Sequence, residues 1–321
     1  MIVTLTPNPS HDRTVTLAAP LERGAVQRAA SVLSQAGGKG VNISRASVAA
    51  GIPSIAVLPA ERNDPYVLEL LGDGIDCRPV ANVGSLRMNI TISEPDGTTT
   101  KLNSPGPSVT QRVLADLGEA LRHRAHTADW IVLAGSLPPG APVEWYAHLV
   151  TTLREAGARV AVDASDAPLR ALVERLPAGA PHLMKPNGEE LASITGADPE
   201  VLEQDAWATA AAARTLIAGG VETVLATLGG NGAVLVTADG AWHATPPKTD
   251  VVSTVGAGDS SLFGYLLGDL RHAEPTDRLA LAVAYGSAAA GLPGTTIPHP
   301  AQVHPDLVRV TELTTTSGAT T

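Results

Sequence analysis

The sequence predicts an α/β fold in which a mainly parallel sheet is covered by helices on both faces. Short β-branched or apolar runs alternate with helical patterns along most of the 321 residues. The core must be built almost entirely from Ala, Val, Leu and Ile, because hydrophobic residues make up 44% of the chain and aromatics only 3%. Strands buried on both faces have that aliphatic composition. Glycine- or proline-marked turns follow Leu5, Ala134, Lys185, Thr227 and Val255, each read as the carboxyl end of a strand, where open α/β sheets bind ligands.

The elements follow in order. Ile2 to Leu5 is a strand ended by the prolines of TPNPSHD, and Asp12 opens an alternating stretch. Extended segments near 12–17 and 26–34, with the hairpin 87–103 that turns at Pro95-Asp96-Gly97, interrupt the βα rhythm. They predict a small sheet projecting from the main one, a candidate lid. Helices are expected at Gly40–Ala50, Asp64–Leu71, after a Ser108/Gln111 capping box, at Val143–Glu155, Ala167–Leu176 and Asp205–Ala218. Strands are expected at Ser54–Leu58, Trp130–Ala134, Val160–Asp163, Leu183–Lys185 and Thr223–Thr227, followed by a hairpin from Val234 to Ala244. Residues 1–310 form one domain on this reading, and 311–321, rich in Thr, Ser and Gly, form a disordered tail.

Charge and cysteine usage narrow the function. A formal net charge of −10 offers no broad basic face and argues against nucleic acid or an anionic membrane as partner. Cys77 is the single cysteine, there is no signal-peptide pattern and no apolar run long enough to span a bilayer, so a cytoplasmic protein is expected. GxxxxGK[ST], HExxH and cysteine clusters are all missing, which removes a Walker-type phosphate loop and the common zinc sites.

The chain is organised around VVSTVGAGDSSLFGYLL, Val251 to Leu267, read as strand, tight turn and helix N-terminus. The backbone N–H groups at Gly256, Ala257 and Gly258, with the helix dipole behind them, suit an anion. Asp259 in the same turn suits a base taking a proton from a hydroxyl that attacks a phosphate. A plain helix cap is the alternative. NGEE places Asn187 and Glu190 where they can position Mg²⁺ through water, or simply cap a helix. Lys185 either reaches a phosphate or is a solvated surface lysine, and TLGGNG either admits a nucleotide against bare backbone or makes a tight hairpin turn. GGKG with Asn42 suits sugar hydroxyls, and Arg28 and Arg87 suit a second phosphate.

TPNPSHD, GGKGVN, LRMN, GSLPPG, KPNGEEL, TLGGNGA and PPKTDVVSTVGAGDS occur in order up to about Pro298. In this the chain resembles the PfkB family of ribokinase-like sugar kinases, in its phosphosugar branch of 1-phosphofructokinases and tagatose-6-phosphate kinases. The resemblance implies a three-layer αβα fold with a β-sheet lid that often contributes to a homodimer, and ATP and Mg²⁺ as cofactors. It implies Asp259 as catalytic base with Gly256, Ala257 and Gly258 as anion hole. It assigns Lys185, Asn187, Thr227, Gly229, Gly232 and Ser287 to ATP, and Asn187 and Glu190 to Mg²⁺. Asp12, Gly37, Gly38, Lys39 and Asn42 fall to the sugar, with Arg28, Arg87 and Ser136 near its phosphate. The implied reaction is phosphorylation of a ketohexose monophosphate, foremost fructose 1-phosphate to fructose 1,6-bisphosphate. Fructose 6-phosphate or tagatose 6-phosphate as substrate, or a non-catalytic sugar-phosphate sensor, are the alternatives. His11 departs from the family, which usually has an apolar residue before the acid.

Overall fold

The computed structural model describes residues 1–313. The strands are β1 (Ile2–Leu5), β2 (Ser10–Leu17), β3 (Ala29–Gly37), β4 (Ser54–Pro59), β5 (Asp76–Val80), β6 (Arg87–Ser93), β7 (Thr99–Asn103), β8 (Trp130–Ala134), β9 (Val160–Asp163), β10 (Leu183–Met184), β11 (Thr223–Thr227), β12 (Ala233–Thr237), β13 (Ala241–Thr245) and β14 (Arg309–Glu312). The helices are α1 (Lys39–Ala49), α2 (Pro65–Gly72), α3 (Gln111–Arg122), α4 (Trp145–Glu155), α5 (Asp166–Glu174), α6 (Gly188–Thr195), α7 (Pro199–Gln204), α8 (Ala206–Ala218), α9 (Ala257–Leu270) and α10 (Pro275–Ala290).

Ten strands form one sheet in the order β14-β13-β12-β11-β10-β9-β8-β1-β4-β5. It is parallel from β5 to β11 and antiparallel from β11 to β14. Because side chains alternate across a strand, β8 feeds two cores at once. Ile131 and Leu133 pack with α3, α4 and α8, whereas Trp130, Val132 and Ala134 pack with α1, α9 and α10. This is the expected three-layer α/β architecture. The expected small sheet is present as β3-β2-β6-β7, with β2 and β6 parallel and its other pairs antiparallel.

Several local expectations need correction. Val251–Val255 is no strand: Val251 and Val252 are 65% and 59% exposed, and the N–H groups of Val252 and Ser253 both donate to the Ala290 carbonyl. β-Branched residues make strand only where a ladder partner and a buried face exist, and β14 already occupies the edge beside β13. The helix after Ser108 is capped by Thr110, whose hydroxyl accepts from the Val113 N–H at 3.3 Å. The Ser108/Gln111 box does not form, because the Val109 N–H is drawn to the Pro139 carbonyl and the buried Val109 is held outside the helix. β5 and α7 are additional elements, and β3, expected near 26–34, starts at Ala29 and runs on to Gly37. Arg309–Glu312 pairs with β13, so the chain is still in the sheet at Glu312; the expected tail lies, from residue 314 on, outside the described residues. No described helix is long and apolar enough to cross a membrane.

Candidate active site

At the carboxyl edge of the parallel strands lies a cleft of about 1090 Å³. The small sheet contributes Ser10, Asp12, Arg87 and Asn89 to its wall. Ligand pockets commonly run from about 300 to 1,000 Å³, so this one stands at the upper end of that range.

Helix α9 begins at the floor of the cleft. Gly256 is its N-cap with φ 78°, a left-handed conformation that glycine adopts without strain, and Asp259 follows in the first turn. Gly256, Ala257, Gly258 and Asp259 all line the cleft. The Asp259 side chain is buried, 6% exposed, and Oδ2 accepts from Asn42 Nδ2 at 2.8 Å. Burial, and then the negative charge of Asp163, push its carboxyl up to about 6; Lys39, the Asn42 hydrogen bond and Lys185 act in the opposite direction.

The helix N-terminus of α1 brings Lys39 and Asn42 to the same place. Gly40 has no room for a side chain: a Cβ there would stand 2.7 Å from the Leu5 carbonyl oxygen, so this helix start packs directly on the end of β1. Lys39 Nζ lies 2.7 Å from Asp163 Oδ1, and Lys185 Nζ lies 3.0 Å from Asp163 Oδ2. Asp163, at the carboxyl end of β9, is fully buried. Burial disfavours its charge, yet Lys185 and Lys39 outweigh this and hold its carboxyl below the usual range. Lys39 also loses solvation in the cleft, but the charges of Asp163 and Asp259 more than offset this and raise its ammonium.

On the small sheet, Asp12 Oδ1 accepts from Ser10 Oγ at 2.8 Å and from Asn89 Nδ2 at 3.0 Å. Its other oxygen lies over Gly37, where a Cβ would stand 2.0 Å away, so only glycine fits. Gly37 therefore supports Asp12 from beneath and does not itself line the cleft. The Arg87 guanidinium donates to the backbone carbonyls of Asn8 at 3.1 Å and Ser104 at 3.3 Å, and burial lowers its pKa. His11, the departure noted in the sequence, packs edge-on against Tyr66, with ring centroids 5.5 Å apart.

On the opposite side the cleft is lined by Lys185, Asn187, Glu190, Thr227, Gly229, Gly232 and Ser287. Asn187 and Glu190 form a reciprocal capping box: Asn187 Oδ1 accepts from the Glu190 N–H at 2.7 Å, and Glu190 Oε2 accepts from the Asn187 N–H at 2.9 Å. Glu190 Oε1 is left for another partner, and burial raises this carboxyl. TLGGNG makes the hairpin connection between β11 and β12, and its Thr227, Gly229, Gly230 and Gly232 line the cleft. A Cβ at Gly232, whose φ is 91°, would stand 1.9 Å from the Ala244 carbonyl oxygen.

Besides Gly37, two further expected residues are not brought to the cleft. Arg28 is exposed, just before β3, and neither it nor any residue of β3 is part of the cleft lining. Ser136 is exposed outside the lining, with its hydroxyl 3.5 Å from Asn8 Nδ2, and so neighbours Arg87 only through Asn8. Sequence reasoning missed Asp163 and Asn89. An ionisable residue closing the apolar run VAVD was the available signal for Asp163, and the period-2 match of Asn89 with Asp12 appears only once the register is known.

Known proteins resemble this chain over most of its length. The description "pfkB family carbohydrate kinase" matches residues 6–302. A 1-phosphofructokinase from Xanthomonas campestris pv. campestris is 36% identical, over 87% of this chain and 88% of that one. A 1-phosphofructokinase from Rhodobacter capsulatus is 35% identical over 93% of each chain. Among solved structures, phosphofructokinase-2 from Escherichia coli in complex with substrates and products superposes with a TM-score of 0.86 at 26% identity, covering 95% of this chain and 99% of that one.

Proposed function

Since the chain belongs to the pfkB family of carbohydrate kinases, we propose that it transfers the γ-phosphoryl group of ATP to the 6-hydroxyl of fructose 1-phosphate, giving fructose 1,6-bisphosphate and ADP. The observation that carries this reading is the buried Asp259 at the N-terminus of α9, held by Asn42 beside two lysines in the cleft. The relatives named 1-phosphofructokinase favour fructose 1-phosphate over other ketohexose phosphates.

Asp259 accepts the proton of the attacking hydroxyl as the oxygen–phosphorus bond forms and the bond to ADP breaks. With its carboxyl near 6 it is mostly ionised at neutral pH, yet more basic than a solvated aspartate. Phosphoryl transfer asks mainly for positioning and charge stabilisation. Here the N–H groups of the Gly256–Gly258 turn and the ammonium groups of Lys39 and Lys185 answer that demand. Asp12 takes the sugar hydroxyls, with one oxygen already fixed by Ser10 and Asn89. Arg87, whose hydrogen bonds go to backbone carbonyls, is the charge available to the sugar's own phosphate.

The residues fit Mg²⁺: Glu190 lines the cleft and commits only Oε2 to the capping box, which leaves Oε1 as a hard oxygen ligand, and the Asn187 N–H orients that carboxylate. Bound there with ATP, the ion would supply neutralisation of phosphate charge. The proposal includes a homodimer through the small sheet, supported by the exposed Val32, Leu33 and Leu102, and a cytoplasmic location. A sensor gains no support from the relatives' names.

The test is ADP release with Mg-ATP on fructose 1-phosphate, fructose 6-phosphate, tagatose 6-phosphate and fructose. The expected result is a kcat/KM for fructose 1-phosphate at least tenfold above the others, about 1.4 kcal/mol of transition-state discrimination. A 6-phosphate sugar in first place reverses the orientation of the sugar and leaves the chemistry intact. Silence on all four removes the kinase reading.

A further inference from the structure

Two lysines meet at one carboxylate in this cleft, and they come from separate parts of the fold. Lys39 stands at the start of α1, and Lys185 follows β10. Their ammonium groups lie 2.7 and 3.0 Å from the two oxygens of Asp163. Asp163 is 0% exposed and ends β9, which is hydrogen-bonded on one side to β8 and on the other to β10. The carboxylate is therefore fixed by the sheet, whereas each lysine has a flexible four-carbon stem and repels the other. Lys185 is 5% exposed and points at the anion turn: a Cβ on Gly258 would stand 3.3 Å from its nitrogen. The two lysines and the shared carboxylate leave one net positive charge beside the N-terminus of α9.

Resting on the kinase reading above, we propose that Asp163 is a positioning residue, which holds Lys39 and Lys185 together at the place where negative charge builds up on the transferring phosphoryl group. It acts through the lysines and not on the substrate. Charge stabilisation of this kind works only when the groups are already in place as the reaction begins. An amide at the same position offers one acceptor oxygen, so it can keep one lysine, while its NH₂ group turns the other away.

The experiment measures kcat and both KM values for wild type, Asp163→Asn, Lys39→Met and the double variant, with thermal melting as the check on folding. Asp163→Asn is expected to lower kcat by about 10²-fold, the scale of a misplacement of about 1 Å. Its KM for ATP stays level or falls, because a negative charge near the triphosphate has been removed. In the Lys39→Met background the same change costs less than in wild type, because one of the two lysines it orders is already gone. A kcat within threefold of wild type overturns the proposal. So does a rise in the KM for ATP that parallels the loss of kcat, which assigns Asp163 to general integrity of the site, and so does a cost unchanged in the Lys39→Met background. The kinase reading itself fails only if wild type turns over none of the sugars, a result separate from all of these.

Discussion

Asn42 Nδ2 donates to Asp259 Oδ2 at 2.8 Å across a sequence separation of 217 residues, joining the first turn of α1 to the first turn of α9. The contact places a neutral donor on a carboxylate whose ionisation is opposed by burial and by Asp163, and it acts in the same direction as Lys39 and Lys185.

Asp259→Asn removes the proposed base. The expected loss in kcat is at least 10²-fold, at the lower end of general-base contributions, while sugar binding by calorimetry persists. Turnover near wild type would take Asp259 out of the mechanism.

The same variant carries a stability signature. The Asp259 carboxyl sits at about 6 in the folded protein against an ordinary 3.8, so the unfolded chain ionises first as pH rises. Folded stability contributed by this group is complete below about pH 4 and is lost as pH rises through about 6. Asp259→Asn should therefore melt higher than wild type at pH 7, by an amount on the order of 1–3 kcal/mol. The difference should shrink toward pH 4, and equal melting temperatures at pH 7 would contradict it.

Asn42→Ala deletes the bond that favours the charged form of Asp259. Its carboxyl then rises further, and the acid limb of the kcat profile moves to higher pH. The pH–rate profile checks both the shift and its sign.

Gly37→Ala puts a Cβ into the space taken by Asp12 Oδ2. The expected effect is at least a tenfold fall in kcat/KM for the sugar, about 1.4 kcal/mol, with the KM for ATP little changed. Steady-state kinetics with each substrate varied in turn separates the two.

Asp269→Ala probes stability away from the cleft. The Asp269 side chain is 5% exposed and accepts from Trp130 Nε1 at 2.9 Å, from Arg159 at 2.6 Å and from Arg278 at 2.7 Å. Burial opposes its ionisation, but the hydrogen bonds from Arg159 and Trp130 and the arginine charges hold its carboxyl low. Its contribution is thus present above the usual carboxylate range and lost as pH falls. With Arg159 46% and Arg278 26% exposed, the cost of removal is reduced from that of a fully buried pair to roughly 2–3 kcal/mol. Urea melts at pH 7 measure it.

Motifs that act through their own backbone were legible in the sequence. GAGD opens a helix and NGEE makes a reciprocal cap because glycine conformations and cap hydrogen bonds are local. What depends on a distant partner was not. The β-branched run before the turn is no strand, since nothing pairs with it. The role of Gly37 depends on Asp12, and the lysine pair on Asp163, and neither relation can be seen before β2, β3, α1 and β9 meet. Arg28 stands outside the cleft lining, and a basic residue on an extended segment does not by itself say which end of that segment faces a cleft.

The position of β1 bears on how the enzyme comes into being. The first strand synthesised lies between β4 and β8, and its pairing with Trp130–Ala134 awaits residues more than a hundred positions later. Non-local pairing of this kind is slow, and half-built sheets expose edges that aggregate. On dilution from denaturant, helical signal should return before phosphorylating activity does. On the ribosome, the proposed base Asp259 emerges only within the last quarter of the 321 residues, so a product truncated before it should be inert.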